Sequence, residues 1–347
     1  MAKALDRKDW ICTQPFEFAE IFDHTMYMCC PQWLPDNLGN PNHIQKNWTS
    51  DKANKIRESI VDGSYSYCNE NRCPKLNGLK EGKSHGFISR QEFKNNLDKY
   101  VDSPIRSVKF NFDQSCNLQC PSCRTEKINY EGVQRTRTEE LIHNIEEQMG
   151  EGLERIETSG SGDPFFSRTF RKWLMEFDLS MYPNLKHIHL HTNGTLWNKS
   201  NWERMKKVHP FVKSCEISVD AAYKDTYENK TRIGGKWQDI IDNLKYISTL
   251  PLLNDVVLSF VVQHDNYNEM YDFYELGKSI FEGTNKNWRI FYNRVVNWGT
   301  FTAEQFKEVD ICDNNHPNHS KLLKEYNKLT NLDRISHNIP VNGIYMR

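Results

Sequence analysis

Three cysteines, Cys116, Cys120 and Cys123, stand with three and then two residues between them, directly after the apolar run Phe110-Asn111-Phe112. Three thiolates on one tight loop can ligate three irons of a cubane cluster, for which cysteine is the usual ligand. Three rather than four ligands leave one iron open to bind something else. A zinc site would want a fourth ligand, and usually two separated cysteine pairs. Cys120 and Cys123 could form one such pair, but Cys116 would then be surplus. A disulfide framework suits small secreted domains, and this chain is neither small nor secreted in character.

A second group of cysteines lies in the first 73 residues: Cys12, the adjacent Cys29 and Cys30, Cys68 and Cys73. They offer four ligand positions, because adjacent side chains diverge and only one of Cys29 and Cys30 is expected to bind. An all-thiolate set suits zinc or an iron–sulfur cluster. Cys215 and Cys312 are read as free thiols. Other chemistry-bearing residues follow in order. In Ser159-Gly160-Ser161-Gly162-Asp163-Pro164, small residues permit close backbone approach to a ligand, and Asp163 offers a carboxylate for an ammonium group. An ordinary Gly–Pro turn is the rival reading. Ser218 and Asp220 are two residues apart at a strand end, hence on one face, and a hydroxyl beside a carboxylate suits a ribose. Asn293, Arg294 and Trp298 follow the last strand and are placed on the substrate side by position.

These residues need elements to hold them. Strands are expected at 107–112, 155–158, 187–191, 215–219, 255–262 and 288–292, from apolar or alternating runs. Helices are expected at 138–149, 170–177, 201–208, 237–250 and 268–281, where apolar residues recur at helical spacing. Strand–helix alternation implies parallel strands with right-handed crossovers. Six units are too few for a closed eight-stranded barrel, so the expected fold is α/β, an open, partial (β/α)6 TIM-like barrel. Its chemistry belongs at the C-terminal ends of the strands, where the notable residues fall one after another. The expected organisation is a small cysteine-rich N-terminal domain over 1–85 without strand–helix rhythm, a linker over 86–106, the barrel over 107–300 and a helical extension over 301–347. Within 1–85, a helix at 51–60 with Ser50 or Asp51 as its N-cap is expected.

Composition limits the alternatives. Lys+Arg 45 against Asp+Glu 46 leave a formal charge of -1 in 347 residues, so no basic field for nucleic acid is present. No apolar run approaches the ~20 residues of a membrane span, and the start lacks the apolar segment of a signal peptide. Ten cysteines in such a chain point to metal rather than disulfides. A soluble, cytoplasmic, metal-bearing protein is expected.

The loop Cys116-Asn117-Leu118-Gln119-Cys120-Pro121-Ser122-Cys123 resembles the signature loop of the radical S-adenosylmethionine (radical SAM) enzymes. That resemblance implies a [4Fe–4S] cluster on Cys116, Cys120 and Cys123, its open iron chelating the methionine moiety of SAM. It implies reductive cleavage of SAM to a 5′-deoxyadenosyl radical, which takes hydrogen from a substrate carbon. Ser161-Gly162-Asp163-Pro164 is similar to the family's Gly-Gly-Glu-Pro motif for the methionine amine, with Ser161 and Asp163 departing from it. Thr192-Asn193-Gly194 is similar to a further motif. Arg232 matches an arginine that can pair with the methionine carboxylate, for which a guanidinium fork is apt; a solvated charge at a helix start is the rival reading. Ser218 and Asp220 sit where the family often binds ribose, and the main chain at Val262 where it meets adenine.

The order of features in 1–85 resembles the auxiliary-cluster region called SPASM, here placed before the barrel and with five cysteines, enough for one cluster. Relatives with such regions modify ribosomally made peptides, so a peptide substrate is expected first. A nucleotide, sugar or other small metabolite comes second, and a flavodoxin or ferredoxin is the expected reductant. The rival from another class is a non-enzymatic zinc or iron–sulfur binding module.

Overall fold

The computed structural model describes residues 3–100, 104–341 and 344–345. The chain falls into two compact units, one of residues 1–113, 131–159 and 178–188, the other of residues 114–130, 160–177 and 189–347.

The strands of the first unit are β1 (Trp10–Cys12), β2 (Phe18–Phe22), β3 (Met26–Tyr27), β4 (Phe87–Ser89), β5 (Ser107–Asn111) and β6 (Arg155–Thr158). Four of them lie side by side in the order β3-β2-β5-β6. β2 and β6 run parallel to β5, and β3 runs antiparallel to β2. On one face Ala19, Ile21, Val108, Phe110 and Ile156 are fully buried. On the other, Glu20, Lys109 and Glu157 form one row across three strands, with Lys109 Nζ 2.9 Å from Glu157 Oε1. The N-terminal segment, expected to lack strand–helix rhythm, therefore contributes a parallel strand to the sheet.

The helix Asp51–Val61 begins at Ser50, whose hydroxyl accepts from Ala53 N at 3.3 Å. Gly63 follows it at φ 82, the left-handed stop that glycine adopts without strain. The segment expected as a linker holds β4 and the helix Arg90–Asn95. Phe93 of that helix stacks on Tyr100, ring centroids 5.3 Å apart. Both join Ile11, Phe16, Ile60 and Leu76 in one apolar core.

β7 (His187–Thr192) starts in the first unit and ends in the second. The second unit continues with β8 (Val212–Ser218), β9 (Asp255–Val262), β10 (Asn287–Arg294) and β11 (Ile335–His337), in the order β7-β8-β9-β10-β11. The pairs β8–β9, β9–β10 and β10–β11 are parallel. Ile217, Leu258 and Ile290 share one register row and are fully buried. The helix Met270–Phe281 lies on that row at Gly277, where a Cβ would sit 3.1 Å from Leu258 Cδ1. The opposite face carries Ser218, Ser259 and Asn293. The six expected strands are β5 to β10, with the expected helices between them, an α/β arrangement of parallel strands. The C-terminal extension, expected to be helical, holds the helices Ala303–Val309 and His319–Asn327 but also β11 beside β10. Among the described residues no helix is long and apolar enough to cross a membrane.

Candidate functional site

The cysteine loop leaves the end of β5 and is fixed by its own backbone. Cys116 N donates to Ile128 O at 2.8 Å, and Gln119 N to Ile233 O at 2.9 Å. Cys123 and Arg124 both donate to Cys120 O, at 2.9 and 3.0 Å. The loop thus turns tightly between Cys120 and Cys123. Cys116 and Cys120 are buried around Leu118, whereas Cys123 is exposed. Burial pushes the Cys116 thiol up to about 11, with Asp163 adding to the shift and Arg124 opposing it. Burial also raises Cys120, and the neighbouring Arg232 opposes the rise. Each sulfur is met by one of three side-chain N–H donors: Asn193 Nδ2 at 3.5 Å from Cys116, Arg232 Nη1 at 3.5 Å from Cys120, and Arg124 Nη2 at 3.4 Å from Cys123; the Leu118 backbone N–H also serves Cys116.

The loop after β6 carries Ser161, Gly162 and Asp163. Ser161 O accepts from Arg124 Nη2 at 2.7 Å, which ties this loop to the cysteines. Asp163 was expected to present its carboxylate to an ammonium group. It is 1% exposed, and both oxygens already accept two protein donors. Oδ1 accepts from Phe165 N and Phe166 N, at 3.0 and 3.1 Å, and Oδ2 from Thr192 Oγ1 and Asn193 N, at 2.7 and 2.8 Å. Four donors use the lone pairs of a carboxylate, so Asp163 clasps its own loop to the loop after β7. Burial raises its pKa, and these four bonds oppose the rise.

The loop after β7 is anchored in turn. Asn193 Nδ2 donates to Asn117 Oδ1 at 3.0 Å, and Asn117 Nδ2 to Thr195 Oγ1 at 2.9 Å. Gly194 has φ 73, and a Cβ there would lie 2.7 Å from Ile240 Cδ1. Only glycine fits.

Asp220 and Arg232 were expected to meet ribose and methionine carboxylate separately. The structure pairs them with each other, Arg232 Nη2 2.6 Å from Asp220 Oδ2. Asp220 Oδ1 also accepts from Val261 N at 2.7 Å, so this carboxylate is occupied by protein. Burial raises the Asp220 pKa, and Arg232 opposes it. Among the described residues, the Arg232 Nε and the Tyr227 hydroxyl are buried polar atoms without a hydrogen-bond partner. Tyr227 opens a π-helical turn, Tyr227–Thr231, that leads into Arg232, a local feature frequent at functional sites. Ser218 ends β8 and lies 3.3 Å from His191 Nε2. Val262 is fully buried at the end of β9. Of the residues placed on the substrate side, Asn293 donates to Ser259 Oγ at 3.0 Å, Arg294 pairs with Asp310 at 2.5 Å, and Trp298 is exposed.

In the first unit, Cys12, Cys29, Cys68 and Cys73 line one cavity together with Trp33 and Tyr65. Burial raises Cys29 well above the usual thiol range, with Cys12 and Cys73 adding. Burial, Cys12 and Cys73 push Cys68 up to about 12. Cys30 is absent from that lining, and its charged neighbours are Glu20 and Lys109. The adjacent pair therefore diverges, and Cys29 is the member that faces the other three. Among the described residues no three His, Cys, Asp or Glu side chains are gathered around one metal-ion position.

Sequence reasoning passed over Arg124, the Glu20–Lys109–Glu157 row and Tyr227. A cation directly after a thiolate triplet was the available signal for Arg124. The other two depend on strand register and on a π turn that no local pattern marks.

Residues 110–277 match the family model of the Radical SAM superfamily. No curated protein matches the sequence. Among solved structures, SuiB of Streptococcus suis bound to S-adenosylmethionine is 14% identical with a TM-score of 0.44, covering 85% of this chain and 63% of SuiB. Native anSMEcpe with bound AdoMet is 14% identical with a TM-score of 0.43, covering 68% of this chain and 64% of that one. TYW1 with a lysine-pyruvate adduct bound is 16% identical with a TM-score of 0.36, covering 65% and 72%. The chain thus spans less than two thirds of the length of the first two. Residues 110–277, just under half of the chain, are thus similar to a radical SAM domain.

Proposed function

We infer that this chain is a radical SAM enzyme in which Cys116, Cys120 and Cys123 hold a [4Fe–4S] cluster. The observation that carries the reading is the donor set. Three thiols share one tight loop, while the second unit's other cysteines, Cys215 and Cys312, are buried among different groups, Glu216 and Lys286 or Asp310 and Arg294. Three protein ligands fit a cluster that keeps one iron open. The orphaned Arg232 Nε and Tyr227 hydroxyl beside Cys120 are two buried donors suited to a carboxylate such as that of methionine. When bound, the cluster and SAM supply a 5′-deoxyadenosyl radical that takes a hydrogen atom from a substrate carbon.

The chain's own residues bind and position. Arg232, steadied by Asp220, presents its free Nε. Asp163 locks the Ser161–Gly162 backbone in place, Ser218 offers a hydroxyl for ribose, and the main chain at Val262 reaches adenine. In the first unit, Cys12, Cys29, Cys68 and Cys73 form the ligand set of an auxiliary [4Fe–4S] cluster, with zinc as the competing occupant; Cys30 stands outside it. The order of features around these cysteines favours a peptide substrate over a small metabolite. Formation of 5′-deoxyadenosine from SAM by anaerobically reconstituted, dithionite-reduced protein tests the reading.

A further inference from the structure

The three side-chain N–H···S contacts form a pattern of their own. Asn193, Arg232 and Arg124 each serve one cysteine, at 3.5, 3.5 and 3.4 Å. Two of the three donors are guanidinium groups, which stay charged in proteins. Arg124 is 8% exposed and the Arg232 side chain 11%, so water screens neither strongly. Every donor is also held by a second partner. Arg124 donates to Gln114 O and Ser161 O, both at 2.7 Å. Arg232 is held by Asp220 at 2.6 Å, and Asn193 by Asn117 at 3.0 Å. Donors fixed in this way exert a field that is already in place before any charge changes at sulfur.

We propose that Arg124 and Arg232 are positioning residues that raise the reduction potential of the cluster on Cys116, Cys120 and Cys123, with Asn193 as the neutral third donor. This rests on the reading that those cysteines hold a [4Fe–4S] cluster. One-electron reduction adds negative charge that is shared with the thiolates, and no bond forms or breaks. A cation donating to a thiolate sulfur stabilises the reduced state more than the oxidised one. Hydrogen bonds to the sulfurs and local charge are recognised determinants of such potentials. The two arginines are not equivalent. The Arg232 charge is offset by Asp220, whereas among the described residues Arg124 has no carboxylate partner and bonds to two carbonyls and a sulfur. Loss of Arg124 removes a cation alone, whereas loss of Arg232 also bares the Asp220 carboxylate.

The test is a potentiometric titration, followed by EPR without SAM, on anaerobically reconstituted wild type, Arg124→Gln, Arg124→Lys and Arg232→Gln. The signal followed is the one that disappears in Cys116→Ala, and iron and sulfide contents are measured in parallel. The midpoint should move to a more negative value in Arg124→Gln and in Arg232→Gln, and should return most of the way in Arg124→Lys. An unshifted midpoint in Arg124→Gln, with its iron content intact, overturns the proposal. If Arg124→Gln does not load a cluster, Arg232→Gln decides, and an unshifted midpoint there overturns it. A wild type with no signal that depends on Cys116 would instead overturn the assignment of the loop itself.

Discussion

The Arg232 guanidinium holds the Asp220 carboxylate at 2.6 Å while its other terminal nitrogen lies 3.5 Å from Cys120 Sγ. Asp220 is 1% exposed and has φ 60, a conformation that asparagine tolerates and alanine resists. Asp220→Asn should keep the backbone but leave the arginine charge uncompensated, at a cost of about 3 kcal/mol. Asp220→Ala should lose a further ~1–2 kcal/mol from the left-handed backbone. Urea denaturation of the cluster-free protein measures both, and losses under about 1 kcal/mol would show that the pair is not a fixed element of the fold.

Asp163 accepts from four donors in two loops. In Asp163→Asn, one oxygen becomes an NH2 group that faces two N–H or O–H donors. With charge-assisted bonds near 1.5–3 kcal/mol each, the variant should lose at least about 2 kcal/mol of stability. Its SAM affinity should fall with the loosening of the Ser161–Gly162 loop. Full stability with weakened SAM binding would instead restore the direct ammonium contact expected from the sequence.

The residue types of the site were legible in sequence, but their partners were not. The cysteine spacing, the small-residue run before Asp163 and the six strand–helix repeats are local patterns. Asp220 with Arg232, and Asp163 with Thr192, are pairings that exist only once strands stand in register. Each diverts a carboxylate from the ligand that its position suggested. Strand β2 escaped because Phe18-Ala19-Glu20-Ile21-Phe22 is one short apolar stretch outside the strand–helix repeats, and its parallel pairing with β5 exists only in the folded chain. The choice between Cys29 and Cys30 needed the direction of two adjacent side chains.

Glu20 gives a pH dependence of known sign. Burial raises its pKa from 4.5 to about 7, Glu157 adding while Lys109 and the Asn111 amide oppose. The folded chain thus keeps a proton through a window in which the unfolded chain has released it. The resulting stability is fully present below the unfolded value and is lost as the pH rises through about 7, an effect on the order of 3 kcal/mol. Urea stability measured at a series of pH values on cluster-free protein should fall across that window in wild type and fall less in Glu20→Gln. Identical profiles would place the Glu20 pKa in the ordinary range.

Cys29 faces Cys12, Cys68 and Cys73, while Cys30 faces Glu20 and Lys109. Cys29→Ser should strip the second metal and loosen the first unit, since metal binding and folding are coupled in small sites. Cys30→Ser should retain it. In a background lacking Cys116, Cys120 and Cys123, retention of about four irons with visible absorption identifies the occupant as a cluster. One zinc and no colour identifies the competing occupant. Metal loss in Cys30→Ser alone would reverse the assignment of the pair.

Reductive cleavage of SAM tests the central claim most directly. Anaerobically reconstituted wild type, given dithionite and SAM, should release 5′-deoxyadenosine. The Cys116→Ala, Cys120→Ala and Cys123→Ala variants should release none while remaining folded by circular dichroism. Release of 5′-deoxyadenosine by the triple alanine variant, or none by wild type loaded with about four irons on this loop, would contradict the account.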